Sequence, residues 1–184
     1  VALGLVADLG RPGGNVTGIH FQRVELTEKR LQLLKDAVPD VDAAIVFWDG
    51  QSGDQRAAAE SAASALGLRH QGIKFDKPPY DFDNAAIGTN PALFVLGSPF
   101  FFLERARLAE FALKRRMISS FVAREFVTAG GLMSYGVSVP GMWELAAAYV
   151  DRIARGAKPG ALPIQQPTKF ELAVNLKTAK ALGL

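Results

Sequence analysis

Short apolar runs alternate with amphipathic segments between Glu25 and Tyr135, and this alternation limits the possible folds more than any other feature of the chain. Four apolar runs have the length of strands, namely Ala43–Trp48, Ala92–Leu96, Met117–Val122 and Leu132–Tyr135, and the mixed segment Leu68–Phe75 is also predicted to be a strand. A continuous apolar run is typical of a strand that is covered on both faces. Strands that alternate with helices predict a mostly parallel sheet with right-handed crossovers. We therefore predict an α/β protein.

Amphipathic segments and capping residues predict the helices. The main segments are Glu25–Val38, Asp54–Leu66, Phe100–Arg116 and Trp143–Arg155. Ser52 and Gln55 have the spacing of a capping box, which predicts that Ser52 starts the second of these helices. Ser98 followed by Pro99 predicts the start of the third, because serine is a favoured N-cap and proline a favoured first helical residue.

The remaining segments give weaker patterns. They predict a helix-like Val1–Leu9, a strand at Val16–Phe21, a short helix near Phe82–Ile87, a loop at Gly156–Pro167, a last strand at Phe170–Asn175 and a last helix at Lys177–Leu182. The cluster Gly10–Asn15 is interpreted as a turn, because it has neither G-x-G-x-x-G nor a following Gly-Lys-Ser/Thr.

Composition excludes several classes of function. The 184 residues include no cysteine, so disulfides, thiolate metal sites and cysteine nucleophiles are excluded. The formal net charge is +3 and the basic residues are scattered, which gives no support to a nucleic-acid partner. His20 and His70 show no metal-ligand spacing with each other or with a nearby carboxylate. We therefore predict neither a metal nor another cofactor.

No set of catalytic residues stands out. Ser98 lies between a strand and a helix, as a hydrolase nucleophile would, but it lacks the G-x-S-x-G motif. The adjacent pair Arg124 and Glu125 is interpreted as a solvated pair or a hinge-closing contact rather than as an acid and a base. We predict that the chain is not an enzyme, with an α/β enzyme as the least favoured alternative.

Three loops that follow predicted strands suit ligand binding: Trp48–Ser52, Gly97–Phe100 and Ala123–Phe126. In open α/β sheets ligands bind at the carboxyl ends of the strands, and helix N-termini there favour carboxylates. The predicted ligand-binding residues are Trp48, Asp49, Gln51, Ser52, Ser98, Phe100, Arg124, Glu125 and Tyr135. We expect Trp48, Ser52, Ser98, Arg124 and Tyr135 along one edge of the sheet, although the aromatic residues could equally be core.

Three motifs in order carry a resemblance to a known family. They are Gly10–Gly18 (GRPGGNVTG), Phe121–Gly136 (FVAREFVTAGGLMSYG) and Gln166–Leu172 (QPTKFEL). The sequence resembles the substrate-binding proteins of uncharacterised ABC importers, some of which are linked to tryptophan and related amino acids. The resemblance covers nearly the whole chain but only the later part of the family sequence.

The resemblance implies the fold of type I periplasmic binding proteins, with two Rossmann-like, three-layer lobes around a cleft and an incomplete first lobe in this chain. It implies capture of a small solute between the lobes and delivery to a membrane permease, with an amino acid, preferably aromatic, as ligand. Its location would be periplasmic or otherwise extracytoplasmic, with a lipid anchor as an option in the full-length protein. Asp49-Gly50 replaces the Asn-Pro that is common in the family at the loop after Trp48. A ligand-sensing regulatory or receptor domain of the same fold is the alternative.

The resemblance also predicts the domain organisation. Residues 1–19 would be a returning segment of the first lobe, residues 20–136 the second lobe, and residues 137–184 a helix–loop–strand–helix that returns to the first lobe. Because the chain starts at Val1 without methionine, we expect a portion of a longer protein with an incomplete first lobe. Apolar faces left bare in such a portion predict self-association.

Overall fold

A computed structural model describes residues 4–85 and 91–184 and contains a mostly parallel six-stranded sheet. The strands are β1 (Ala43–Asp49), β2 (Arg69–Phe75), β3 (Ala92–Val95), β4 (Ser119–Phe121), β5 (Met133–Val137) and β6 (Phe170–Val174). Their order in the sheet is β2-β1-β3-β4-β5-β6, and the pairings of β1 with β2 and β3, of β3 with β4 and of β4 with β5 are parallel. The predicted α/β fold is confirmed.

Seven helices lie in the described ranges. They are α1 (Arg23–Ala37), α2 (Gly53–Ala65), α3 (Pro99–Leu103), α4 (Arg105–Lys114), α5 (Arg124–Thr128), α6 (Val139–Ala154) and α7 (Leu176–Leu182), and a 3₁₀ turn covers Pro159–Ala161. None of the helices that the structure describes is long and apolar enough to cross a membrane.

Four expectations about individual elements were wrong or only partly right. The single helix predicted at Phe100–Arg116 is two helices, α3 and α4, which meet at Glu104. Residues 4–9 form bends rather than a helix, with Gly4 at a positive φ of 71°. The strand expected at Val16–Phe21 is reduced to one bridge between Ile19 and Gln165. Residues 82–85 form a turn instead of a helix, and residues 86 and 87 lie outside the described ranges.

The inner strands β1, β3 and β4 are buried on both faces, as their continuous apolar runs predicted, whereas β2 and β6 at the edges of the sheet are mostly exposed. Residues of α1 and α2 cover one face, where the core includes Leu31, Leu34, Val46, Ala59, Ala63 and Phe94. On the other face Phe47 contacts Phe75 at 4.8 Å, Phe82 at 6.0 Å and Phe111 at 5.8 Å between ring centroids. Because strand side chains alternate between faces, successive residues of β1 belong to different halves of the core.

The chain divides into two compact units. The first comprises residues up to Gln22 together with Val137–Phe170, and the second comprises Arg23–Gly136 together with Glu171–Leu184. The sequence instead predicted that residues 137–184 form one segment, which would return to the first lobe. The difference arises because β6 extends the sheet, and the Asn175 amide then donates to the Leu132 carbonyl at 2.8 Å. The assignment of segments to two lobes stays a prediction.

The first unit is held by backbone pairing between its two segments. The Gly13 amide donates to Gly160 at 3.1 Å, the His20 amide donates to Gln165 at 2.8 Å, and the Gln165 amide donates to Gly18 at 3.0 Å. The turn predicted at Gly10–Asn15 therefore packs along the loop that follows α6.

Candidate functional site

The carboxyl end of β1 carries a buried carboxylate. Asp49 is 1% exposed, and its Oδ1 accepts hydrogen bonds from the Gln51 amide and the Ser52 hydroxyl, both at 2.9 Å. Its Oδ2 accepts from the Tyr80 hydroxyl at 2.9 Å and from the Ser98 hydroxyl. Within residues 4–85 and 91–184 no cation pairs with Asp49, so these donors are what compensates its burial.

Ser98 joins this carboxylate to the start of α3. Its backbone is extended, at φ −143° and ψ 142°, and its hydroxyl oxygen accepts from the Phe100 amide at 3.1 Å. The predicted N-cap is therefore confirmed, with Pro99 at the first helical position. The same hydroxyl gives its proton to Asp49, so one side chain links the loops after β1 and β3.

The Ser52–Gln55 spacing correctly placed the start of α2, because Ser52 is its N-cap residue, but the capping box itself is wrong. Ser52 precedes the helix, but its side chain makes no capping bond and turns back to Asp49. Gln55 is fully buried and reaches Gly97 instead, donating to its carbonyl and accepting from its amide, both at 2.8 Å. Buried peptide groups require partners, and Gln55 satisfies both polar groups of Gly97 at the end of β3.

Arg23 is a further residue at this edge. Its Nη1 donates to the carbonyl oxygens of Gln51 and Gly97, each at 3.2 Å, and its Nη2 lies 3.2 Å from the Asp54 carboxylate. The first residue of α1 therefore ties together the loops after β1 and β3. Sequence reasoning missed Arg23 because no motif marks it; its partners lie 28 to 74 residues away.

Tyr80 was also missed, because it lies in the proline-rich segment that gave no clear pattern. Its ring is buried beside Phe75, at 5.4 Å, and Phe101, at 5.2 Å between centroids. Burial, reinforced by its hydrogen bond to Asp49, raises the pKa of the Tyr80 phenol above its ordinary value. The phenol therefore remains a donor to Asp49 at neutral pH.

Among the predicted aromatic residues, Phe100 offers accessible surface next to the Asp49 network. It is 37% exposed, and its ring lies 6.5 Å from that of Tyr80 in an edge-to-face arrangement. Trp48 is placed differently. It packs with Val46 on the α2 face of the sheet, with the Arg56 guanidinium 4.9 Å and the Lys74 ammonium 5.6 Å from its ring.

The predicted residues after β4 form a separate group. Arg124 starts α5 and is paired with Glu171 at 3.0 Å, so its ionic partner is not the adjacent Glu125. Glu125 and Tyr135 are half-buried, the first in α5 and the second in β5. The structure thus brings Asp49, Ser52 and Ser98 together, with the Gln51 backbone and Phe100 beside them. It does not bring Trp48 or Arg124 into that network.

The described residues contain no group of three His, Asp or Glu side chains that could hold a metal ion. A surface depression of about 380 Å³ is lined by residues that include Pro91, Arg115 and Ile118. It lies near the amino ends of β3 and β4, and Arg115 there is bonded to the Asp83 carbonyl at 2.8 Å. The edge where α/β sheets bind ligands is the opposite one.

Comparison with known proteins gives a family match over the later part of the chain. Residues 109–184 match a family model described as ABC transporter substrate binding protein. The resemblance seen in the sequence is confirmed over these residues, which make up less than half of the chain. No curated protein sequence matches the chain.

Solved structures show the same fold over the whole chain. A conserved domain protein from Vibrio cholerae is 20% identical, with a TM-score of 0.81 over 100% of this chain and 64% of its own. An ABC domain from Streptococcus pneumoniae in complex with L-Trp is 20% identical, with a TM-score of 0.77 over 100% of this chain and 66% of its own. A ligand-free, open substrate binding protein with adhesive properties from Clostridium difficile is 21% identical, with a TM-score of 0.68 over 100% of this chain and 63% of its own.

The fold is therefore that of type I periplasmic binding proteins. The chain spans slightly less than two thirds of the length of each of these three structures.

Proposed function

We propose that the chain is part of the solute-binding component of an ABC importer, and that it binds its solute without chemical change. The observation that carries the proposal is the edge formed by the loops after β1 and β3. There Asp49, Ser98 and Gln55 are held in a fixed, buried hydrogen-bond network, and Phe100 presents a partly exposed ring beside it. Fixed polar loops next to apolar surface suit reversible binding of a small molecule.

The same geometry argues against catalysis at this edge. The Ser98 hydroxyl gives its proton to a carboxylate that three other donors also occupy, and no histidine or lysine contacts it in the described ranges. A serine nucleophile needs a base that is free to accept its proton. Ser98 is better explained as the cap of α3.

We propose an amino acid as the solute, with aromatic amino acids first. The S. pneumoniae domain of the same fold was solved with L-Trp, and the accessible ring of Phe100 can stack on an aromatic side chain. A membrane permease as partner, an extracytoplasmic location and self-association of the isolated chain belong to the same proposal. The sensing alternative also stays a prediction, as does the two-lobed arrangement.

Calorimetric titration tests this proposal. The longest protein that contains this chain is titrated with L-tryptophan, L-phenylalanine, L-tyrosine and, as apolar controls, L-leucine and L-alanine. We expect tighter binding of the aromatic members. Equal binding of all five would remove the aromatic preference, and binding of none would remove the amino-acid class. Light scattering on the isolated chain tests self-association, for which a monodisperse monomer is the contrary result.

A further inference from the structure

We propose that Asp49 does not contact the solute but is the positioning residue of this edge, which places Ser98, the start of α3 and the Phe100 ring. This inference relies on the proposed function only for the identity of the bound solute, and the positioning role of Asp49 does not depend on it. An ionised carboxylate has about four acceptor positions. The chain itself fills them with the Gln51 amide and the hydroxyls of Ser52, Tyr80 and Ser98, and the side chain is 1% exposed.

The link from Asp49 to Phe100 passes through the Ser98 hydroxyl. A hydroxyl carries one proton and accepts through its lone pairs. Because the proton is given to Asp49, the lone pairs of Ser98 remain directed at the Phe100 amide, 3.1 Å away. Removing the carboxylate frees the hydroxyl to rotate and loosens the cap of α3.

A second link between Asp49 and Phe100 passes through Tyr80. The Tyr80 hydroxyl donates to the same Oδ2 atom of Asp49, and the Tyr80 ring lies 6.5 Å from that of Phe100. Arg107 holds the Tyr80 backbone, with its Nη2 3.0 Å from the carbonyl oxygen. Both supports of the Phe100 ring therefore converge on one carboxylate oxygen.

The variants follow from this geometry. Asp49→Ala removes all four acceptor positions. Asp49→Asn keeps the shape and one acceptor oxygen, and its amide can donate to hydroxyls that rotate to accept, so it is a partial rescue. Ser98→Ala and Tyr80→Phe each cut one link, and they carry the test if Asp49→Ala does not fold. Ile45→Val is the matched control, because Ile45 is a buried residue of the same strand away from its carboxyl end.

Hydrogen exchange is the measurement that needs no solute. We expect Asp49→Ala and Ser98→Ala to speed exchange of amides in 98–103 at least tenfold, Asp49→Asn and Tyr80→Phe less, and Ile45→Val not measurably. Exchange in α4 should change only as the global stability of each variant does, measured by denaturant unfolding, and the acceleration in 98–103 is counted beyond that change. Equal acceleration in α4, or no acceleration in 98–103, would overturn the proposal.

Affinity for L-tryptophan is the second measurement, made on the same variants of the longer protein. We expect Asp49→Ala to weaken binding at least tenfold and Asp49→Asn no more than about threefold. If Asp49→Asn weakens binding as much as Asp49→Ala while exchange in 98–103 is unchanged, Asp49 contacts the solute and the proposal is overturned. If the wild-type protein does not bind L-tryptophan, the proposed solute fails, and the exchange measurement still decides the positioning role.

Discussion

The guanidinium of Arg30 lies 4.5 Å above the ring of Phe94 and donates from Nη1 to the Val95 carbonyl at 3.0 Å, while its Nη2 has no hydrogen-bond partner among the described residues. Arg30 is 2% exposed, and burial lowers its pKa to about 9. A buried cation without an anionic partner costs stability, which an apolar residue of similar shape avoids.

We therefore expect Arg30→Met to change the free energy of unfolding by less than about 1 kcal/mol at pH 7. Relief of the buried charge offsets the lost bond to Val95. The control Leu34→Ala, on the same face of α1, should cost about 3 kcal/mol. Denaturant unfolding measures both. A loss above about 3 kcal/mol for Arg30→Met would show that interactions of the Arg30 guanidinium offset the cost of burying its charge.

The pH dependence of this variant has a definite sign. The Arg30 pKa is lowered in the folded protein to about 9, from 12.5, so between these values the unfolded chain binds one more proton. Stability from this group therefore rises with pH above about 9. Relative to Arg30→Met, the wild-type protein should gain stability as the pH is raised from 8 to 10. A difference that stays constant or falls would contradict this assignment.

Tyr80→Phe should destabilise the protein by about 2 kcal/mol, because it removes a hydrogen bond to a charged, buried acceptor. The matched control is Tyr149→Phe, which removes a buried phenol that bonds to the neutral carbonyl of Pro163 and should cost about 1 kcal/mol.

The Tyr80 pKa is raised in the folded protein. Its contribution should therefore be fully present below pH 10 and decrease as the pH rises through the folded-state pKa. Denaturant unfolding at pH 7 and pH 10.5 compares the two variants. Equal losses at pH 7 would contradict a charged acceptor for Tyr80.

Gly136→Ala should be severely destabilising. A Cβ at this position would lie 1.9 Å from the Val122 carbonyl oxygen, so β4 and β5 would have to separate where they end. We expect a loss above about 3 kcal/mol, or no folded protein. Gly50→Ala is the control, because a Cβ there would meet nothing within 4 Å. Thermal unfolding checks the pair, and a similar melting temperature for both variants would show that the backbone at Gly136 can adjust.

Local sequence patterns predicted the sheet and the α3 cap because those features depend on neighbouring residues. Buried strands read as continuous apolar runs, and the Ser98 hydroxyl caps an amide two residues away. The capping bonds expected from the Ser52–Gln55 spacing do not form, because the Gln55 side chain bonds to Gly97, 42 residues along the chain. The Gln55 side chain satisfies the buried peptide groups of Gly97, and leaving those groups without a partner would cost more free energy than leaving out a local helix cap.

The site was only partly predictable for the same reason. Asp49 and Trp48 are adjacent in the sequence, yet strand alternation sends Trp48 to the α2 face while Asp49 points to the aromatic face. Tyr80 and Arg23 reach the site from a loop and a helix start that carry no motif. Which residue of a strand-end loop turns toward its neighbours depends on register, and register is set by the whole sheet.

The central claim is that the edge beside Phe100 binds the solute. L-tryptophan titration of the longer protein is the most direct test, with Phe100→Ala compared with Leu103→Ala, an exposed apolar residue of the same helix at 74% exposure. Loss of one aromatic contact, worth about 1 kcal/mol, should weaken binding about fivefold for Phe100→Ala. Leu103→Ala should bind as the wild-type protein does. Unchanged affinity in Phe100→Ala, or equal losses in both variants, would contradict the account.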